Sequence, residues 1–277
     1  MLTWKLWRGL RRAFPEHPLY SRVMGTSFRP MGWAMACAIV LVAPFLLLPG
    51  LLFMSAIYAL RWAVQIASII AREREAGTYD LVALSPTGPF GCNRAISAAC
   101  LHRHESLEQI QSPGAWIMRL TFSLVLVVSV AGFTEPILSD QYDSGLNTFI
   151  ALFYLGTMAL AIMLDHVQSI VAGNLIGMLT PHYVQGRLDA GFVAFAGFVG
   201  VQLITYVVTL LAGFRVLPDV LLALNAAPVL ITLILPVMRL ALFYAVREFL
   251  IQVLWRALLS ELNVTTAELD FMTRHTA

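Results

Sequence analysis

Charge is what this sequence has least of. Asp, Glu, Lys and Arg make up 12% of the 277 residues, and apolar types make up 59%. A water-facing globular surface takes about 25% charged residues, so a wholly solvated fold is excluded. No stretch is left for a separate soluble catalytic domain. The formal net charge of +2 is too small to suit a nucleic-acid partner. Lysine is almost missing, with Lys5 the only one. A Gly-x-x-x-x-Gly-Lys-Ser/Thr phosphate loop needs a lysine within glycine-rich sequence, which excludes ATP hydrolysis by that machinery within this chain. Cysteine is limited to Cys37, Cys92 and Cys100, too few and too scattered for a disulfide framework. Cys92, Cys100, His102, His104 and Glu105 do not converge on a metal, because positions 100, 102 and 104 step by about 200° around a helix. No cofactor is expected. Neither a Ser/His/Asp set nor a paired carboxylate stands out, so the chain is not expected to be an enzyme. The first 30 residues lack the short apolar core of a secretory signal.

What is there is a series of long apolar runs. Residues 31–71 are interrupted only by Arg61 and are too long for one span of about 20 residues, so they read as a hairpin turning at Pro49-Gly50. Further spans are expected at 115–134, 149–171, 190–214 and 220–243, with a short loop at Arg215, Pro218 and Asp219 before the last. The fold class that follows is all-α: a polytopic membrane protein of about six transmembrane helices. Basic residues set its orientation. The six in residues 1–30, then Arg72, Arg74, Arg94, Arg103, Arg119, Arg187 and the C-terminal arginines fall on one side, and only Arg215 falls on the other. By the positive-inside rule both termini are cytoplasmic.

Three amphipathic segments flank these spans. Residues 1–30 read as an interfacial helix with Trp4, Leu6, Trp7, Leu10 and Phe14 toward lipid and Lys5, Arg8, Arg11 and Arg12 beside headgroups; the alternative is a disordered basic tail. Residues 72–114 are the longest cytoplasmic segment, with a surface helix expected over 93–110. The tail 244–277 begins as a helix with Glu248, Gln252, Arg256 and Ser260 as its polar stripe. That helix either extends span six or lies on the membrane surface.

The segment after span two carries the most information: Ala71-Arg72-Glu73-Arg74-Glu75-Ala76-Gly77-Thr78-Tyr79-Asp80-Leu81-Val82-Ala83-Leu84-Ser85-Pro86. An apolar helix gives way to alternating charge, Gly77 permits a break, Thr78 can cap a short helix, and Ser85-Pro86 stops it. Read alone, the segment is either a compact charged knob fixed to a membrane helix or a solvated loop. The motif resembles that of permease subunits of ABC-2-type ABC transporters, whose pattern is Glu-Arg-Glu, one residue, Gly-Thr, then an apolar stretch closed by Ser/Thr-Pro. The resemblance implies that Arg72, Glu73, Arg74, Glu75, Gly77, Thr78, Leu81, Leu84, Ser85 and Pro86 couple the membrane domain to a separate ATP-binding cassette subunit. It also implies a second permease subunit, identical or different, and a place in a bacterial inner membrane. This chain departs from the pattern in the polar stretch from Asn93 to span three. The other reading is a non-transporting membrane scaffold or assembly subunit of a larger complex.

Arg61 and Asp165 are charges inside apolar runs. Aligned on Gln65 and Gln168 they fall at similar depth, so they either pair across the two hairpins or reach separately for the interface.

Overall fold

A computed structural model describes residues 1–11, 17–25, 54–84, 88–103, 111–117, 120–121, 144–184, 186–223 and 228–264. Span one, most of span three, the loop of Glu135, Asp140 and Asp143, and the tail beyond residue 264 lie outside them. Among the described residues the named elements are all helical: α1 (Leu2–Leu10), α2 (Pro18–Gly25), α3 (Met54–Glu75), α4 (Thr78–Ala83), α5 (Gly88–His102), α6 (Ser144–Leu179), α7 (Arg187–Leu211), α8 (Leu217–Ala223) and α9 (Pro228–Glu261). Two stretches, Leu152–His182 and Arg187–Ala223, are long and apolar enough to cross a membrane. The protein is therefore all-α, with two long apolar helices compatible with membrane association.

The core forms where α3 lies on α6 and α7, and α9 closes on α6 from the other side. Helix α3 is buried all round over residues 62–71 and α6 over 165–178, whereas α7 turns one stripe inward at helical spacing. On α7 the buried stripe is Ala190, Ala194, Phe198, Gln202 and Thr205, while Phe192, Leu203, Ile204, Val207 and Leu211 stand exposed. Only 17% of the apolar window on α7 is buried, against 50% on α6. An outward face that is apolar and uncovered suits lipid, which needs no polar partner from a side chain. At 36 residues, α6 is about 54 Å long. It is longer than an apolar layer of about 30 Å is thick, and its last turns meet the end of α3.

Several expectations change. Helix α3 does not stop at the charge block but runs through it to Glu75. The expected loop at Arg215, Pro218 and Asp219 is helical: a π-turn at Ala212–Val216 leads directly into α8. A π-turn widens the backbone ladder, and here Arg239 of α9 donates through Nε to the Gly213 carbonyl at 2.9 Å. Pro218 then falls in the first turn of α8, where a missing N–H does no harm. The surface helix expected over 93–110 appears instead as α5, which ends at His102 and is buried along nearly its whole length. Residues 104–110 lie outside the described residues. Small side chains (Gly91, Ala95, Ser97, Ala98, Ala99) let α5 press against its neighbours, and two of its polar side chains find partners inside: Ser97 donates to Asn174, and Asn93 Oδ1 accepts from Tyr79 at 2.9 Å, while Asn93 Nδ2 has no partner among the described residues.

The N-terminal segment forms two short helices rather than one. Trp7 and Leu10 are buried within the protein, with Trp7 edge-on to His166 at 5.8 Å. Lys5, Arg8 and Arg11 remain exposed. The tail helix is continuous with the last apolar run, as one of its two expected forms, in α9. Its Glu248 is not on a free polar stripe: it is buried and accepts from the backbone N–H groups of Leu2 (2.7 Å) and Thr3 (3.4 Å), and from the Thr3 hydroxyl. A carboxylate at the first turn of α1 satisfies orphan donors and suits the positive helix end.

Candidate functional site

The charge block of residues 72–75 closes a clasp. Glu73 is 1% exposed and accepts from the Thr78 hydroxyl at 2.6 Å. Its carboxylate also holds Arg22 of α2 at 3.3 Å and Arg72 at 3.1 Å. Thr78 does not cap α4 with its side chain; the N-cap is Gly77, at φ 67, a left-handed conformation that glycine adopts without steric penalty. Freed from capping, the Thr78 hydroxyl turns back to the Glu73 side chain and to the Glu73 carbonyl at 3.1 Å. Arg74 reaches across to the end of α6, donating to the Pro181 carbonyl at 2.6 Å and to His182 Nδ1 at 3.0 Å. Its guanidinium also lies 5.0 Å from the centre of the Tyr79 ring. Glu75 accepts from the Arg187 backbone N–H at 2.9 Å, at the start of α7. One short run of sequence thus ties α3 to α2, α4, the end of α6 and the beginning of α7.

From this base α4 projects. Tyr79 is its anchor, buried and donating to Asn93 Oδ1; burial pushes the phenol well above its usual range. Leu81 and Leu84 point the other way and are 72% and 85% exposed, with Asp80 exposed beside them. Ser85 and Pro86 lie outside the described residues. Two leucines held out into solvent on a rigid helix form an apolar contact surface that nothing in the described chain covers.

The second site is inside the helices. Asp165 does not pair with Arg61, which is exposed on α3. Its partner is Arg247 of α9, whose Nη1 stands 2.6 Å from Asp165 Oδ1, with both side chains almost wholly buried. Nη1 also donates to Ser169 at 2.8 Å, and Nη2 to Gln202 and to the Tyr206 hydroxyl at 3.3 Å. Gln202 in turn donates to Ser169 at 3.0 Å. The guanidinium fork therefore binds α6 with one amine and α7 with the other, as its planar geometry allows. Similar depth in two helices does not bring two charges together; Arg61 and Asp165 face different ways. Arg247, Ser169, Gln202 and Tyr206 were missed from sequence. The signal that points to Ser169, Gln202 and Tyr206 is a pair of polar residues four apart in two apolar runs, Asp165 with Ser169 and Gln202 with Tyr206, which marks one polar stripe per helix; no such signal marks Arg247.

Cys92 and Cys100 are both buried on α5. Burial pushes the Cys92 thiol up to about 11 and the Cys100 thiol to about 12, so neither forms the reactive thiolate at neutral pH. A water-soluble maleimide at neutral pH is expected to leave both unlabelled in the folded protein and to modify both after denaturation, read by mass spectrometry of the tryptic peptides.

No family model, no curated protein and no solved structure matches this chain.

Proposed function

We propose that the chain is the membrane-spanning permease subunit of an ABC-2-like exporter, with about six spans and cytoplasmic termini in a bacterial inner membrane. A separate ATP-binding subunit supplies the energy, and a second permease subunit completes the membrane path. The observation that supports this reading is the exposed Leu81–Leu84 surface standing on a base clasped to α2, α3, α6 and α7. A push on α4 has a rigid route into two long apolar helices: through Arg74 to the end of α6 and through Glu75 to the start of α7. Rigid-body switching of packed helices needs such a connection, because a loose loop absorbs the displacement instead of passing it on. In this reading the chain's own residues transmit force and hydrolyse nothing.

The test separates docking from folding. Burying an exposed leucine contributes about 1.5–3 kcal/mol. Where an ATP-binding protein is encoded beside this chain, Leu81→Asp with Leu84→Asp is therefore expected to weaken association with it by ~100-fold or more. The melting temperature of the purified membrane protein should stay unchanged, because neither side chain is packed. Recovery of that ATPase in equal amounts with the double variant and the unaltered chain would refute the docking role. The scaffold alternative is favoured if the ATPase binds neither and a stable multi-subunit complex is recovered instead.

A further inference from the structure

We propose that Asp165 is a proton-binding site whose occupancy decides whether α9 can part from α6. The inference rests on the placement of the Asp165–Arg247 pair in the apolar helices and not on the ATPase-docking reading. Three observations carry it. First, the pair joins α9 to α6 through one guanidinium amine only, since the other amine belongs to α7 through Gln202 and Tyr206. Second, Asp165 Oδ2 is buried without a hydrogen-bond partner among the described residues, so the carboxylate has a vacant lone pair. Third, a crevice with room for about one water molecule runs beside the guanidinium, lined by Gln168, Gln202, Thr205, Leu250 and Ile251. The buried Gln168 Oε1 is likewise unpartnered among the described residues.

Pulling Arg247 from an ionised Asp165 leaves an uncompensated anion in an apolar surround, which is strongly unfavourable. A proton on the carboxylate removes that anion, so separation and protonation are linked equilibria. The proton adds to a carboxylate oxygen, converting COO⁻ to COOH, and no other bond is made or broken. The guanidinium keeps its charge and its contacts to Gln202 and Tyr206, with the crevice admitting water in place of the lost oxygen. Among the described residues, the titratable groups that face Asp165 are Arg247 from α9 and Tyr206 from α7. His166, next along α6, turns instead to Ser55 of α3, whose hydroxyl lies 2.8 Å from Nδ1, and to Trp7 of α1.

The test uses the full chain in lipid nanodiscs. Spin labels at Met163→Cys and Phe249→Cys, two exposed positions flanking the pair, report the α6–α9 distance after Cys37, Cys92 and Cys100 are replaced by alanine. Acidification is expected to raise a longer-distance population, with the open-to-closed ratio growing up to about tenfold per pH unit for one linked proton. Infrared difference spectra of the same titration should show a carboxylic-acid C=O band. Asp165→Asn, which resembles the protonated group in shape and charge, should show the longer distance at all pH values and lack that band. A distance distribution in the unaltered pair that does not respond to pH overturns the proposal, and that arm decides the matter even if Asp165→Asn fails to fold. A pH response unchanged by Asp165→Asn overturns it equally.

Discussion

Arg247→Leu is expected to be among the most damaging single substitutions in this protein, costing about 3–5 kcal/mol of stability. The reason is what it leaves behind. Asp165 is 1% exposed, and Arg247 is its ion-pair partner. Ser169, Gln202 and Tyr206 also lose a donor. Because a domain is stable by only about 5–15 kcal/mol in total, a loss of that size should appear as a large drop in melting temperature in detergent and in the yield of monodisperse protein. The double variant Asp165→Asn with Arg247→Leu should recover much of the loss, because no net charge then remains buried. Arg61→Leu is the control. Its side chain is exposed and outside the cluster, so its effect should stay within about 0.5 kcal/mol. A melting curve for Arg247→Leu that overlays the unaltered protein, or an Arg61→Leu variant that falls as far, contradicts the pairing.

The contrast between Arg61 and Arg247 shows where sequence reasoning reaches and where it stops. Helical class was legible because it is a local property: apolar stripes at three- and four-residue spacing recur in α7 and in the tail that becomes the end of α9. The charge block was legible as a feature, since alternating charge at a helix end is unusual against an apolar background. Its partners were not. Glu73 meets Arg22, Arg74 meets Pro181 and His182, and Glu75 meets the Arg187 N–H. Those contacts span up to 112 residues of chain, and nothing in the local pattern selects them. Polar content misled at α5, where the stretch from Asn93 onward suggested a surface helix. A buried polar atom is acceptable when it finds a partner, as Asn93 Oδ1 does in Tyr79 and Ser97 in Asn174. At Arg247 the continuity of the helix was among the expectations, but its partners Asp165, Gln202 and Tyr206 lie on two other helices, which no local pattern selects.

Gly173 and Gly177 are expected to tolerate no side chain. They stand four residues apart on α6, and the spacing is that of small residues where two helices approach closely. The facing residues on α3 are Ala59 and Ala63, also four apart. A methyl group built on Gly173 would stand 2.6 Å from the Ala59 carbonyl oxygen, and one on Gly177 would stand 2.8 Å from the Ala63 carbonyl oxygen. Those obstacles are backbone, which cannot rotate away as a flexible side chain can. Gly173→Ala and Gly177→Ala should each lose ~1–3 kcal/mol through forced separation of the helices. Valine at both positions should abolish the folded state. Gly156 and Gly200 supply the comparison, since an added methyl there meets nothing within 4 Å. Alanine at those two positions should be neutral or stabilising by up to about 1 kcal/mol through helix propensity. Thermal unfolding of the four alanine variants in one detergent decides it, and equal melting temperatures would show that α3 and α6 do not touch as described. The consequence reaches the clasp as well. Residues 72–75 are the last turn of α3, and Arg74 meets the end of α6 only while the two helices stay in register along their length. A variant that still folds with α3 displaced should therefore lose the Arg74 contacts to Pro181 and His182, and with them the rigid footing of α4.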